Sequence, residues 1–418
     1  MRPRRASVLA ATPVVSVKTD GVVASFRWLA MAPHRAGFFL GGSVLLLAMF
    51  WWLLELAGRT RGISLSSLPA SFLHGQLMLA GFFPLFMLGF IYTAGPKWLG
   101  VASPATGAWL AAIGMYALGS AGLVLTVRLP VLWPLASTLQ ALAWSGACLI
   151  WAGRIRASTI PERQHAIVIL AAFTFGAIGF WLYAFAAAYA QWQFIARAET
   201  LLLWGMLLPV FLTVCHRMLP FFSAHVLPSY LAWRPRWLLY ALVGGVWLHG
   251  FLALLRVDTF PLDMGLAVLL LYTSWRWKWH QSLQVPLLAM LHIAFLWAGL
   301  GMMLLALAIA PFSTPLAGSD YAALHALALG FMLSMLLAFV TRVTLGHSGR
   351  ALIAGRMTWT LFWLLQVITI LRLLGEWLPE LRTPLLLTTV AGIVLTFALW
   401  SARYLPMYLQ PRADGQTG

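Results

Sequence analysis

Charged residues are scarce in this chain of 418 residues, and acidic ones are the scarcest. Only 9% of the residues are charged, and 27 lysines and arginines outnumber 10 acidic residues. Together with 62% apolar residues and 22 tryptophans, this composition excludes a soluble globular protein. The formal charge of +17 would suggest nucleic acid as the partner of a soluble chain. Here it fits a multi-pass membrane protein whose partner is the lipid bilayer, with no nucleic acid.

Several sequence motifs are absent as well. The chain has two cysteines, Cys148 and Cys215, both inside apolar runs, so no disulfide framework is expected. It contains no GxxxxGK[ST] phosphate loop, no CxxC or CxxCH motif and no HExxH motif. These absences argue against a covalently attached haem, an iron–sulfur cluster and a nucleotide-driven reaction.

Long apolar runs are what the sequence does contain. A run of roughly 20 apolar residues is enough to span the hydrocarbon core as a helix. By that measure the sequence predicts an all-α integral membrane protein with twelve transmembrane helices, at 37–56, 70–92, 105–127, 131–152, 165–189, 200–221, 237–255, 260–275, 285–310, 321–343, 357–374 and 384–404. The eighth run is the shortest and carries Asp263.

The distribution of basic residues predicts the topology. With the N-terminus in the cytoplasm and twelve spans, most lysines and arginines fall on the cytoplasmic side and most acidic residues on the outer side. Both termini are therefore expected in the cytoplasm. The domain prediction is a basic cytoplasmic tail at 1–36, a membrane domain at 37–404 and a cytoplasmic C-terminal tail at 405–418.

Histidines within the runs are the main candidates for function, because an unsatisfied polar group at membrane depth costs several kcal/mol. His74 and His325 begin the second and tenth runs, which both run inward, and His249 ends the seventh. These three are predicted near the outer surface, whereas His216 and His292 are predicted near the inner one. Histidines from two spans at one depth can bind both faces of a non-covalent haem b. The alternative is that each imidazole bonds a backbone carbonyl.

A bound haem would also need cations for its propionates. Arg59, Arg61, Arg128 and Arg372 are the candidates on the predicted outer side, and their spacing singles out none of them. Three of the remaining histidines lie at the predicted inner interface, where we expect their side chains to be exposed to water: His34, His165 and His280.

Copper is a second metal that these residue types permit. Met78 lies four residues after His74 and on the same helical face, and thioethers and imidazoles both bind copper. Met332 and Met335 are also near the spans concerned, although packing is the commoner role of methionine. The candidate metal ligands are His74, His325, His249 and His292.

A basic loop follows the tenth run. It carries Arg342, His347 and Arg350, and Gly346 and Gly349 allow a tight turn there. These three basic residues join His74, His325 and Met78 as candidate cofactor-binding residues.

Four stretches resemble the NnrS family: the run from His74 through GFIYTAGPKWLG, the RMLPFF turn, PLLAMLHIAFLW, and above all ALHALALGFMLSMLLAFVTRVTLGHSGR. The resemblance implies a twelve-span bacterial inner-membrane protein that contains haem and copper and takes part in the nitric oxide response and denitrification. It places family positions at His74, Met78, Gly81, Gly89, Thr93, Ala94, Pro96, Trp98, Gly100, Arg217, Pro220, Phe221, Phe222, His292, His325, Gly330, Arg342, Gly346, His347, Gly349 and Arg350.

The sequence departs from that family at one point. Members often read HxHE where this chain has His74, Gly75, Gln76 and Leu77, so a second histidine and an acid are missing. A haem bound through His74 would survive this change, whereas a metal that needs the second imidazole would not.

The placement of His74 and His325 is also similar to the catalytic subunit of haem–copper oxidases and nitric-oxide reductases, where the second and tenth of twelve helices bind a haem. The functions expected are nitric oxide binding, detoxification or electron transfer, with a respiratory complex as a possible partner. Two alternatives stay open. One is a solute or metal transporter with a path along His216, His292, Arg342 and His347, although no internal repeat is evident. The other is an assembly factor that delivers haem or copper.

Overall fold

The computed structural model describes residues 27–228, 230–311 and 320–416. Within these residues the chain is helical and forms no strand, which confirms the all-α integral membrane class. Most of the predicted basic tail, residues 1–26, lies outside the described residues.

Twelve helices of 17 residues or more make up the described bundle. In chain order they are α1 (Pro33–Arg59), α2 (Ala70–Leu99), α3 (Thr106–Leu125), α4 (Leu132–Ala157), α5 (Gln164–Tyr189), α6 (Trp192–Val226), α7 (Arg236–Leu254), α8 (Phe260–Arg276), α9 (Pro286–Ala308), α10 (Asp320–His347), α11 (Arg356–Trp377) and α12 (Pro379–Leu409).

Eleven of these helices are long and apolar enough to cross a membrane, and α8 is the exception. Its 17 residues reach roughly 26 Å, slightly less than a hydrocarbon core of about 30 Å. The count of twelve membrane spans and the cytoplasmic placement of both termini therefore stay predictions.

Helices α2, α6 and α10 form the centre of the bundle. In each of them 78% of the most apolar stretch is buried, against 39–67% in the other candidate spans. They run in the same direction. Along α2, Gly75 and then Phe83 meet Glu199 and then Phe211 of α6. In the same order, His74 and then Phe90 lie near His325 and then Phe339 of α10. We call the end where these three helices begin the outer end, following the predicted topology, and the opposite end the inner end.

Each central helix contains a π-helical segment a few residues after its start. The segments are Leu77–Gly81 in α2, Leu201–Leu207 in α6 and Ala326–Leu333 in α10, and the described residues contain no others. π-Helical segments are rare and occur frequently at functional sites. No internal repeat is evident in the sequence, but a π-helical segment recurs at every fourth helix, in α2, α6 and α10.

Side chains from neighbouring helices satisfy the carbonyls that the irregular backbone exposes. Pro84 cannot donate to Ala80, and the Ala80 carbonyl accepts instead from the Tyr116 hydroxyl at 2.5 Å and from Gln140 Nε2 at 2.7 Å. Neighbouring helices therefore supply the donors to this carbonyl, as is typical of prolines within membrane helices.

The other two central helices use the same device. In α6, Pro209 frees the Gly205 carbonyl, which accepts from Trp247 Nε1 of α7 at 3.0 Å. In α10, the Ser334 hydroxyl donates to the Leu329 carbonyl at 2.9 Å and accepts from Gln366 of α11 at 3.0 Å. All three π-helical segments are therefore fixed by an outer layer of helices.

The C-terminal segment lies against the inner end of the bundle. Arg35 Nη1 donates to the Tyr408 carbonyl at 3.2 Å and to the Gln410 carbonyl at 2.8 Å. Further along, the Ala413 amide donates to the Ser348 carbonyl at 2.9 Å. Residues 405–409 form the last turn of α12, so the described part of the predicted C-terminal tail is packed against the membrane domain.

Candidate functional site at the outer end

His74 lies in the first turns of α2, with its imidazole stacked on an indole of α1. The ring centroids of His74 and Trp52 are 4.1 Å apart and the planes differ by 18°, and the Arg59 guanidinium lies over the same indole at 5.3 Å. His74 Nδ1 is buried and has no hydrogen-bond partner within the described residues. Because such a nitrogen is costly to bury in an apolar site, it is a candidate ligand position.

His325 occupies the matching place at the start of α10. Its Nδ1 lies 2.7 Å from the carbonyl oxygen of Tyr321, one turn earlier. A carbonyl can only accept, so Nδ1 carries the hydrogen and Nε2 carries the lone pair. Histidine ligands of metals commonly have this arrangement, in which a carbonyl fixes the tautomer and the ring orientation.

The imidazoles of His74 and His325 are close enough to interact electrostatically, and the Arg372 guanidinium of α11 is close enough to interact with both. Arg372 is held by Glu376 at 2.6 Å, and the same carboxylate binds Arg382 at 2.5 Å. Of the four candidate arginines on the predicted outer side, Arg372 therefore contributes a fixed cation beside the histidine pair.

This donor set fits a haem. Nδ1 of His74 and Nε2 of His325 would be the nitrogens available to its iron, and Arg372 would offer a positive charge to a propionate. Met78 lies in the π-helical segment of α2 and is half-buried against the core. These residues form the outer site.

Glu199 of α6 completes the outer site, and the sequence analysis did not select it. Its Oε1 occupies the space that a Cβ on Gly75, the residue after His74, would need. The Tyr183 hydroxyl of α5 faces the same carboxyl, at a geometry outside hydrogen-bond limits. The sequence did carry a signal for it, because Glu199 immediately precedes the sixth apolar run, and His74 and His325 lie near the starts of the second and tenth.

His249, the third histidine predicted at this level, is paired with a buried carboxylate. Its Nδ1 lies 2.6 Å from Asp263 Oδ1 of α8, and the Thr259 hydroxyl donates to Asp263 Oδ2 at 2.7 Å. The His249 ring packs on Trp204 of α6 with centroids 3.8 Å apart. The Asp263 partner fixes the imidazole, and the sequence analysis had noted this acid only as a feature of a short span.

The remaining candidates lie towards the inner end. Along α10, Arg342 is 17 residues beyond His325, which corresponds to roughly 25 Å. Its guanidinium lies 4.1 Å from the centroid of the Phe222 ring. His347 and Arg350 follow at the end of that helix, and Arg350 Nη1 is buried without a partner in the described part of the chain. Arg342, His347 and Arg350 therefore form a group separate from His74 and His325.

His292 also lies apart from the outer site. Its Nε2 forms a 2.9 Å hydrogen bond with the Ser223 hydroxyl of α6, and its Nδ1 is buried with no partner among the described residues. Across residues 27–228, 230–311 and 320–416, no group of three or more His, Cys, Asp or Glu side chains is arranged to hold a metal ion.

Two histidines expected to be solvated are buried instead, which corrects the sequence analysis. His34 is 4% exposed and its ring packs against His347 with centroids 4.5 Å apart. His165 is 2% exposed, and its Nε2 lies 3.0 Å from His216 Nδ1. The basic residues around them indicated the interface, but the packing of the helix ends buries both rings. His280 is exposed as expected.

A separate cavity lies further along the central helices. It has a volume of about 60 Å³ and is lined by apolar side chains, among them Phe90 of α2, Cys215 of α6 and Phe339 of α10. Apolar cavities stay dry, and this one is too small for a porphyrin. Only a small apolar molecule fits there.

The sequence model of the family described as NnrS protein matches residues 28–412. The match covers all twelve helices and every residue of the outer site. A search of curated proteins finds no match.

Proposed function

The chain belongs to the NnrS family, and from this premise we propose that it is a haem-binding protein of the bacterial inner membrane that acts in the nitric oxide response or in denitrification. The proposed cofactor is a non-covalent haem b, and the proposed ligands are His74 and His325. The proposed activity is binding or detoxification of nitric oxide, or electron transfer.

One observation carries the proposal. Two imidazoles from different central helices are electrostatic neighbours at the outer end, and each has a ring nitrogen free for a metal: Nδ1 of His74 and Nε2 of His325. The alternative, a backbone carbonyl for each imidazole, holds for Nδ1 of His325, whereas Nδ1 of His74 is buried with no partner among the described residues. Arg372, placed beside both rings, supplies the positive charge that a propionate requires.

When bound, a haem would supply an iron centre for one-electron transfer and for nitric oxide binding. The chain would contribute the orientation of both imidazoles. The Tyr321 carbonyl holds the Nδ1 proton of His325, and Trp52 holds the ring plane of His74. The apolar cavity between α2, α6 and α10 supports a gaseous ligand, because nitric oxide is small and partitions into apolar surroundings.

Copper stands as a separate proposal. Met78 lies beside the His74 end of the site, and a thioether with an imidazole suits copper. A copper ion at this place would require a further ligand from a bound molecule.

The test is the absorption spectrum and metal content of the full-length protein purified in mild detergent. We expect a Soret band with at least one haem per chain. His74→Ala and His325→Ala should each shift the band or remove it. The exposed His280→Ala is the matched control and should leave it unchanged. A protein without haem would contradict the proposal, as would unchanged spectra in both site variants.

A further inference from the structure

Glu199 is an acidic side chain of the outer site that no cation partner fixes. Among the described residues no arginine or lysine pairs with its carboxyl. Arg197, two residues earlier on the same helix, lies over the Phe194 ring at 5.1 Å instead. By contrast Glu55 and Glu376, also at this end, are bound by Arg59 and by Arg372 with Arg382.

The surroundings of Glu199 come from three neighbouring helices. α5 contributes the Tyr183 hydroxyl, which is buried and unpartnered in the described structure. α2 contributes Gly75, the residue after His74, and the carboxyl fills the space that this glycine leaves free. The titratable group of α7 nearest this level is His249, which is held by Asp263.

The backbone gives Glu199 the same position in α6 as the two histidines have in their helices. It precedes the π-helical segment that starts at Leu201 by two residues, while His74 and His325 precede theirs, at Leu77 and Ala326, by three and one. The three central helices therefore bring two imidazoles and one carboxyl to one end of the bundle.

We propose that Glu199 is the proton-exchange group of the outer site. When the site gains an electron, one proton moves from the outer solution onto the Glu199 carboxylate, and it leaves when the electron leaves. Tyr183 acts as a positioning residue that supports the protonated carboxyl. A carboxylate without a cation partner suits this task, because arginine would hold it permanently ionised. This inference rests on the proposed function, since the electron is the one accepted by a haem at His74 and His325.

The test is redox-difference infrared spectroscopy of the full-length, haem-loaded protein in detergent, with dithionite as the one-electron donor. On reduction we expect a positive carboxylic acid C=O band that moves to lower frequency in D2O. Glu199→Gln should lose the band while retaining haem. Glu162→Gln, at the inner end between Arg217 and Arg234, is the control and should keep it.

Two further variants guard against a folding defect. Glu199→Asp keeps the acid and should shift the band without abolishing it, and Tyr183→Phe should also shift it. A second readout is the pH dependence of the midpoint potential, which should be lost in Glu199→Gln and kept in Glu162→Gln.

The outcomes separate this inference from the proposed function. A haem-loaded Glu199→Gln protein with an unchanged band, or with an unchanged pH dependence of the midpoint potential, would overturn the role of Glu199 and leave the haem site in place. A wild-type protein without haem would overturn both.

Discussion

The carboxyl oxygen of Glu199 occupies the space that a side chain on Gly75 would need, and this contact joins α6 to α2 beside His74. Any other residue at position 75 would place a Cβ where the carboxyl oxygen now lies. A Cβ added at Gly81, six residues further along α2, would make only ordinary contacts, at 3.7 Å from side-chain atoms of Leu77 and Val44. Of these two glycines, only Gly75 is therefore required by a close contact, a difference that the sequence alone does not show.

Gly75→Ala should displace the Glu199 carboxyl without unfolding the bundle, because the clash falls on the end of a flexible side chain. We expect haem content to fall and the carboxyl band to shift, with a stability cost of roughly 1–3 kcal/mol for overpacking. Gly81→Ala is the matched control and should retain both haem and band. Equal behaviour of the two variants in haem content and infrared spectra would contradict the proposed contact.

The carbonyl freed by Pro84 offers a test of how the π-helical segment of α2 is held. Tyr116→Phe should be nearly neutral, because Gln140 still donates to the Ala80 carbonyl. Tyr116→Phe combined with Gln140→Leu should cost roughly 1–3 kcal/mol more, since the carbonyl is then buried without a donor. Unfolding in mixed micelles measures the difference. Additive small losses would show that the carbonyl needs neither donor.

The His249–Asp263 pair predicts non-additive stability. His249→Leu leaves the Asp263 carboxyl buried with only Thr259, and we expect it to cost roughly 3–5 kcal/mol. The double variant His249→Leu, Asp263→Leu removes the buried charge and should be more stable than the single variant. Unfolding of these two proteins and of the Asp263→Leu single variant in the same detergent checks this. A double variant that loses the sum of two single losses would argue against a coupled pair.

Arginines at the two ends of the bundle should differ in their effect on haem retention, because Arg372, unlike Arg342, lies near His74 and His325. Arg372→Ala removes the cation beside His74 and His325, and we expect haem retention to weaken at least about tenfold, equivalent to about 1.4 kcal/mol. Arg342→Ala acts roughly 25 Å away along α10 and should leave retention unchanged. Transfer of haem to an acceptor such as apomyoglobin measures both. Equal effects would mean that the inner group belongs to the haem site.

Much of the fold could be predicted from the sequence, because apolar runs and loop charges report directly on membrane spans. The predicted spans at 70–92 and 321–343 correspond to α2 and α10. The same physics does not reveal the π-helical segments. They depend on donors such as Tyr116 and Trp247 that lie in other helices.

The site was predictable only in part. His74 and His325 stood out because an imidazole is rare within an apolar run, and the structure places them together. Glu199 was missed because acidic residues at helix ends are ordinary, and its role depends on the space left by Gly75. His165 was misjudged because exposure at a membrane interface is set by how neighbouring helix ends pack.

The central claim is that His74 and His325 together hold a haem at the outer end. The most direct measurement is the haem-to-protein ratio of full-length protein carrying both His74→Ala and His325→Ala, compared with wild type under identical purification. The account predicts at least one haem per wild-type chain and loss of that haem from the double variant. A double variant that keeps the wild-type ratio and Soret band would contradict it.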